Sequence, residues 1–335
     1  MLRPLLRRLN DLMADWVGAR VVRTGALHPW QVNPRSGGSH APGGLPEGAR
    51  KYLRPDHPRL IELQQRYARV DPRATRPQIW TDQRLSAEDL LYFRGDNAFV
   101  WQVRGLNGNE LSYALCYYAL KAADQDGLLG RLGEDDAFGI HLFEIDGRPV
   151  SRDLLDSVGE IQFLQRHVGL SSGTWNILDI GAGYGRLAHR LSEAGGDIQV
   201  FATDAYALST FVCEYYLCHR RAERAHVTPL DEVDALLARG DIQLATNVHS
   251  YSECTLDAVA WWTQKIAAHR VKYLFVVPNA GTSDGARCRT NDGRELEPIF
   301  DRHGYRPIVR EPRYADPIVQ KHGIDPVWLH LFELR

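Results

Sequence analysis

The 335-residue chain has few cysteines and none of the spacings that would put them to common use. Its five, Cys116, Cys213, Cys218, Cys254 and Cys288, form no CxxC pair and are odd in number. That argues against a disulfide framework or a zinc knuckle and points to a reducing compartment. There is no excess of charge of either sign. The net charge of −2 gives no global basic field that would draw the chain to nucleic acid. No apolar run approaches the roughly 20 residues of a membrane helix, so stable membrane insertion is not expected. The opening MLRPLLRRLNDLMADWV carries arginines but no unbroken apolar core or small-residue cleavage site, and the expected location is cytoplasmic. No internal repeat is visible.

What is there is ordinary for a soluble globular protein: 44% hydrophobic and 24% charged residues. The length exceeds that at which a single core usually stops growing, so two structural units are expected. Leu2, Leu5, Leu6, Leu9, Met13 and Val17 fall at helical spacing, expected as a helix packed on its own protein, with a membrane-surface or partner helix as the sharper alternative. Residues 31–48 are rich in Gly, Pro and Ser and form a linker or lid, so residues 1–50 read as helix plus linker. Residues 51–150 are aromatic-rich and mainly helical in pattern, with a strong helix over 111–124. SRDLLDSVGEIQFLQRHV (151–168) opens with a capping serine. From about 170 onward, apolar runs of strand length alternate with helical stretches: 176–180, 198–203, 225–229, 242–247, 273–278, 305–311 and 327–334. Such alternation predicts an α/β fold with a largely parallel sheet covered on both faces, closed by an antiparallel hairpin.

The first of those runs ends in DIGAGYGRL. Glycine inside regular structure costs about 0.5–1 kcal/mol relative to alanine, so three at alternate positions need a ligand against bare backbone. Gly181, Gly183 and Gly185 follow G-x-G-x-G, not the G-x-G-x-x-G of a dinucleotide fold, which disfavours a nicotinamide enzyme. Asp204, 19 residues after Gly185 and at the end of the second strand, is placed to accept from ribose hydroxyls. Asp179, just inside the turn, could orient it and face a cation.

These residues together resemble the class I S-adenosylmethionine-dependent methyltransferases over residues 155–335. The resemblance implies a Rossmann-like seven-stranded sheet with an antiparallel C-terminal hairpin and a 151–335 domain that binds S-adenosylmethionine; the helical 51–150 unit is then expected to cap the site and bind the acceptor. It places cofactor contacts at Asp179, Gly181, Ala182, Gly183, Gly185, Arg186, Asp204, Ala205, Asn247, Val248 and Asp231. Asp231 reads equally as a helix N-cap. YFRGDNAFVWQ (92–102) and TNVHSYSEC (246–254) further resemble the sugar O-methyltransferases of antibiotic and polysaccharide pathways.

A sugar hydroxyl stays protonated at neutral pH, so a base should face the methyl donor. His249, in the loop after the fourth strand of the sheet, is the first candidate. Glu253 could orient or charge-balance it, or bind a sugar hydroxyl, and shares a face with it if a helix has begun there; Asp96 is the second candidate base. Acceptor contacts are expected at Tyr92, Arg94, Asp96, Asn97, Trp101 and Tyr251, with Tyr117 and Tyr118 as stacking or core residues. Carboxylates at the fourth and fifth strand ends are too few to predict a metal. The expected partner is a small sugar-containing acceptor. The sequence leaves the oligomeric state open, a homo-oligomer included. Two other functions remain: methylation of another small molecule, and a catalytically silent binding scaffold.

Overall fold

The computed structural model describes residues 44–75, 86–95, 109–279, 286–324 and 326–335, with Leu9, Leu12, Met13, Trp16 and Val17 in a helix near the start. Four of those five are exposed, Trp16 by 86% and Val17 by 72%. The described part of this helix therefore does not pack on its own protein as expected.

Seven strands form the central sheet: β3 (Thr174–Ile180), β4 (Asp197–Thr203), β5 (Ala225–Val227), β6 (Leu244–Val248), β7 (Tyr273–Val277), β8 (Tyr305–Pro312) and β9 (Trp328–Leu334). Their order is β5-β4-β3-β6-β7-β9-β8. β3 lies in the middle, parallel to β4 and β6, while β9 runs antiparallel to both β7 and β8. The fold class is the expected one: a mostly parallel Rossmann-like sheet whose last two strands pair as an antiparallel hairpin. β9 inserts beside β7 and leaves β8 at the edge. The central strands read as unbroken apolar runs because helices cover both faces; Ile177, Leu178, Leu244, Leu274 and Val276 are fully buried.

Helices follow capping chemistry legible in the sequence. α1 (Pro58–Tyr67) has His57 as its N-cap and proline in its first turn. α2 (Glu110–Ala123) is capped by Asn109, whose side chain accepts from Ser112 N. α3 (Arg152–Val168) is capped by Ser151, as expected, and stops at a left-handed Gly169. α4 (Arg186–Glu193) opens at Gly185, and α5 (Ala207–Arg220) follows β4. The reading of 51–150 as mainly helical omitted one element. β1 (Phe143–Ile145) and β2 (Arg148–Val150) form a hairpin over Asp146-Gly147, both with positive φ, a two-residue turn that matches strand twist.

No helix among the described residues is long and apolar enough to cross a membrane.

Candidate active site

The site is built where β3, β4 and β6 end side by side. Gly181, Gly183 and Gly185 all have left-handed backbone, with φ of 70°, 58° and 90°. Two of them are needed for close packing. A Cβ at Gly181 would lie 2.2 Å from Ser250 Oγ, and one at Gly185 would lie 2.7 Å from Cys213 Sγ. A Cβ at Gly183 would meet nothing within 4 Å. Gly183 is thus the point where the turn faces open space. An alanine there is expected to cost about 1–2 kcal/mol through its left-handed backbone alone. Gly181→Ala should cost distinctly more because Ser250 must move. Urea denaturation of the two variants checks the order.

The turn is tied to its surroundings by backbone groups. Gly181 N and Ala182 N both donate to Thr203 O, at 2.9 and 3.1 Å. Asp204 joins the turn to the second strand end: Oδ2 accepts from Gly183 N at 2.9 Å and Oδ1 from Tyr206 N at 2.8 Å. Each oxygen keeps a further lone pair for a ligand hydroxyl. Burial raises Asp204 to about 6, against the pull of those N–H groups, and the charge of nearby Glu253 adds to the rise. Ala205, beside it, is half-buried.

Asp179 is almost fully buried between β3 and β6. Oδ1 accepts from Thr246 Oγ1 at 2.7 Å, and Oδ2 is buried without a hydrogen-bond partner. Burial pushes this carboxyl up to about 7. Asn247 clamps the two strand ends: its Nδ2 donates to Ile180 O at 2.9 Å and its Oδ1 accepts from Tyr251 N at 2.8 Å. Asn247 is fully buried in this role and its side chain holds the turn, whereas Val248 is half-buried at the strand end. Arg186 is likewise spent within the protein, donating to Glu160 and Ser157 Oγ.

His249 follows directly, with φ 65° and ψ −34°, a strained conformation for a residue with a side chain. Its N–H donates to Val277 O at 2.7 Å, which locks the strand end of β6 to that of β7. Ser250–Glu253 is then a 3-10 turn, not an α-helix, so the expected shared face of His249 and Glu253 does not arise. Glu253 instead accepts from Asn279 Nδ2 at 3.3 Å, across at the end of β7. The same turn points Tyr251 inward. It is 1% exposed, packed on Phe300, and is not available as an acceptor contact.

Three further expectations are corrected. Arg94 is fully buried among carboxylates: Nη2 donates to Glu134 at 2.6 Å, Nη1 to Asp135 at 3.0 Å and Nε to Asp153 at 3.4 Å. It is a core cation and not an acceptor contact. Tyr92 is also buried, its hydroxyl accepting from Arg50 at 3.0 Å. Asp231 is not an N-cap, because the following helix has no side-chain cap. Its carboxylate is held by Arg66 of α1, with Nε–Oδ2 and Nη2–Oδ1 both 2.8 Å. Asp96, Asn97 and Trp101 lie outside the described residues. Tyr117 is buried and belongs to the core.

Two contributors had no local signal. Tyr67 of α1 accepts from Leu230 N at 2.9 Å and shares a hydrogen bond with Thr210 of α5 at 2.8 Å. Tyr184, inside the glycine turn, is buried and donates to Asp153, the carboxylate that also takes Arg94. The turn is thereby wired to the ionic cluster of the N-terminal half.

No family model and no curated protein matches this chain. Solved structures that it matches include magnesium protoporphyrin IX methyltransferase ChlM from Synechocystis PCC 6803, at 12% identity, covering 65% of this chain and 95% of that one, TM-score 0.37. They also include the glycopeptide N-methyltransferase MtfA complexed with sinefungin, at 11% identity over 53% and 86%, TM-score 0.40. A third is StiE O-MT, at 15% identity over 52% and 73%, TM-score 0.38.

Proposed function

We propose that the protein is an S-adenosylmethionine-dependent methyltransferase that methylates a hydroxyl of a small sugar-containing acceptor. The observation that carries the cofactor is the geometry at the end of β3. A left-handed Gly183 faces open space, Asp204 stands beside it, and Asp179 Oδ2 is buried with no partner. A buried orphan carboxylate oxygen wants a cation or a donor. A nucleoside sulfonium supplies both, a positive sulfur and ribose hydroxyls. When bound, it supplies an activated methyl group for in-line displacement.

This chain's residues would do the rest. Asp204 would take ribose hydroxyls on its remaining lone pairs. The carboxylates of Asp179, Asp204 and Glu253 would give the strand ends a negative potential that favours the sulfonium. His249 would accept the acceptor's hydroxyl proton at a ring nitrogen as the new C–O bond forms. The likeness of YFRGDNAFVWQ and TNVHSYSEC to the sugar O-methyltransferases supports the acceptor class, and a titratable base at the strand end supports a neutral hydroxyl. The site that holds the sugar would include Asp96, Asn97 and Trp101.

The pH dependence has a definite sign. Asp179 and Asp204 have folded-state pKa values of about 7 and about 6, above their ordinary 3.8. Their contribution to stability is therefore full below pH 4 and is lost as pH rises through 6 to 7. A sulfonium favours the ionised carboxylates, so its binding should tighten over the same window and level off above it. Thermal shifts by S-adenosylmethionine at pH 5.5 and pH 8 test this, with the larger shift expected at pH 8.

The deciding experiment is calorimetric titration with S-adenosylmethionine and S-adenosylhomocysteine, with NADH as control, followed by transfer of labelled methyl to a panel of nucleotide sugars and glycosides. Binding of both sulfur ligands, weakened at least about tenfold in Asp204→Ala, supports the reading. Binding without transfer to any hydroxyl removes the acceptor assignment. No binding of either removes the cofactor.

A further inference from the structure

A second cluster lies away from the glycine turn, where the chain returns from β7 to the sheet. Cys288, Glu297 and His330 bring one sulfur, one carboxylate oxygen and one imidazole nitrogen within 4.8 Å of one another. They come from three elements: the stretch before α6 (Glu297–Arg302), the first residue of α6 itself, and the middle of β9. Cys288 and His330 are 0% and 1% exposed, while Glu297 is 27% exposed at its side chain.

Each position is fixed by the fold. Cys288 O accepts from Leu296 N at 2.9 Å, closing a turn that brings Glu297 beside Cys288. His330 is held in register between Val276 of β7 and Arg310 of β8. Arg310 Nη2 donates to both oxygens of Glu297, each at 2.7 Å. That leaves lone pairs on the carboxylate and fixes its orientation, as an outer partner does for a metal-ligating carboxylate.

We propose that Cys288, Glu297 and His330 bind a zinc ion, with the fourth position taken by water. The donor set selects the metal. A thiolate, an imidazole and a carboxylate suit a borderline-soft divalent ion that accepts tetrahedral geometry. Magnesium and calcium take oxygen ligands and are disfavoured. A separation of 4.8 Å or less needs only a small contraction to bring all three to zinc distances. Binding replaces the thiol proton, which is released to solvent. Burial and the charge of Glu297 push the Cys288 thiol well above its ordinary value, and a bound dication reverses this because it is the larger local charge.

The consequence reaches the candidate active site. The segment that starts at Cys288 also carries Asn291, whose N–H donates to Ser252 O at 2.7 Å, and whose side chain accepts from Asn279 Nδ2 at 3.3 Å. Zinc would thus staple the segment that supports the His249–Glu253 turn. The spacing of the cysteines could not show this, because its ligands lie 9 and 33 positions apart along the chain and include only one sulfur.

The test uses full-length protein stripped with chelator and titrated with Co²⁺. The expected result is a thiolate-to-cobalt charge-transfer band saturating near one equivalent, bleached by Zn²⁺. It should be lost in Cys288→Ser and kept in Cys218→Ser, which removes the exposed thiol. Absence of the band in the wild type, or its survival in Cys288→Ser, overturns the proposal. Buried Cys288 and His330 are sensitive positions, so Glu297→Gln provides a folded comparison. It should weaken Co²⁺ binding at least about tenfold, and unchanged affinity also overturns the site. None of these readouts depends on methyl transfer.

Discussion

Replacing His249 with asparagine is expected to lower kcat for methyl transfer by about 10²–10⁴-fold, the usual contribution of a general base, with little change in S-adenosylmethionine affinity. Asparagine is the better first substitution because it keeps a planar polar side chain, and asparagine, like histidine, is among the residues enriched at positive φ. His249 sits at φ 65°, and alanine there would mix backbone strain with the loss of the imidazole. The two effects separate in the measurement. Strain appears as a shift in the urea midpoint, whereas loss of the base appears as a lower kcat and disappearance of the acidic limb of the kcat/KM pH profile. Imidazole added to the solution should restore part of the rate in His249→Ala. A kcat in His249→Asn within about threefold of wild type would exclude His249 as the base and move the role to Glu253 or Asp96.

The chain reveals some of this architecture directly and hides the rest for physical reasons. The parallel strands were legible because strands buried on both faces must be apolar throughout, so β3, β4, β6 and β7 read as runs. The glycine turn was legible because left-handed backbone and close approach leave a residue-type signature. Gly181 against Ser250 is such a case. The Asp146-Gly147 turn also carried its signature, but it lay inside a segment whose aromatic residues favoured a helical reading. Tyr251 was misplaced because a 3-10 turn rotates each residue further than an α-helix does, and the polar run SYSE does not specify which turn forms. Arg66 and Asp231 lie 165 positions apart, and nothing local to either announces the other. The same holds for Tyr67 and Leu230. Long-range polar pairs are chosen by tertiary packing, so a sequence shows that Arg94 needs partners without showing which carboxylates supply them.

That arginine gives the largest expected effect on stability. Arg94→Met should destabilise the protein by about 3–5 kcal/mol, since it leaves buried carboxylates without their cation. Methionine preserves much of the volume, so the loss is mainly electrostatic. Glu134 is fully buried at its side chain and also takes Arg190 at 3.0 Å and Ser151. Burial alone would raise its pKa, but Arg94 and Arg190 override this and hold it at about 2. In the wild type its contribution is therefore present above pH 4.5 and is lost as pH falls toward 2. In Arg94→Met the carboxyl moves upward, so protonation relieves the defect. The gap between variant and wild type should accordingly shrink between pH 7.5 and pH 4.5, as read from urea midpoints. Adding Glu134→Gln to Arg94→Met should recover part of the loss at pH 7.5, because the uncompensated charge is gone. Asp153 links this cluster to Tyr184 in the glycine turn, so the variant should also bind S-adenosylmethionine more weakly even where it remains folded. A loss below about 1 kcal/mol, in the range of a surface ion pair, would mean that Arg190 and Arg220, which donates to Asp135 at 2.9 Å, hold the carboxylates without Arg94. The coupling between the N-terminal half and the turn would then have to run through some other contact.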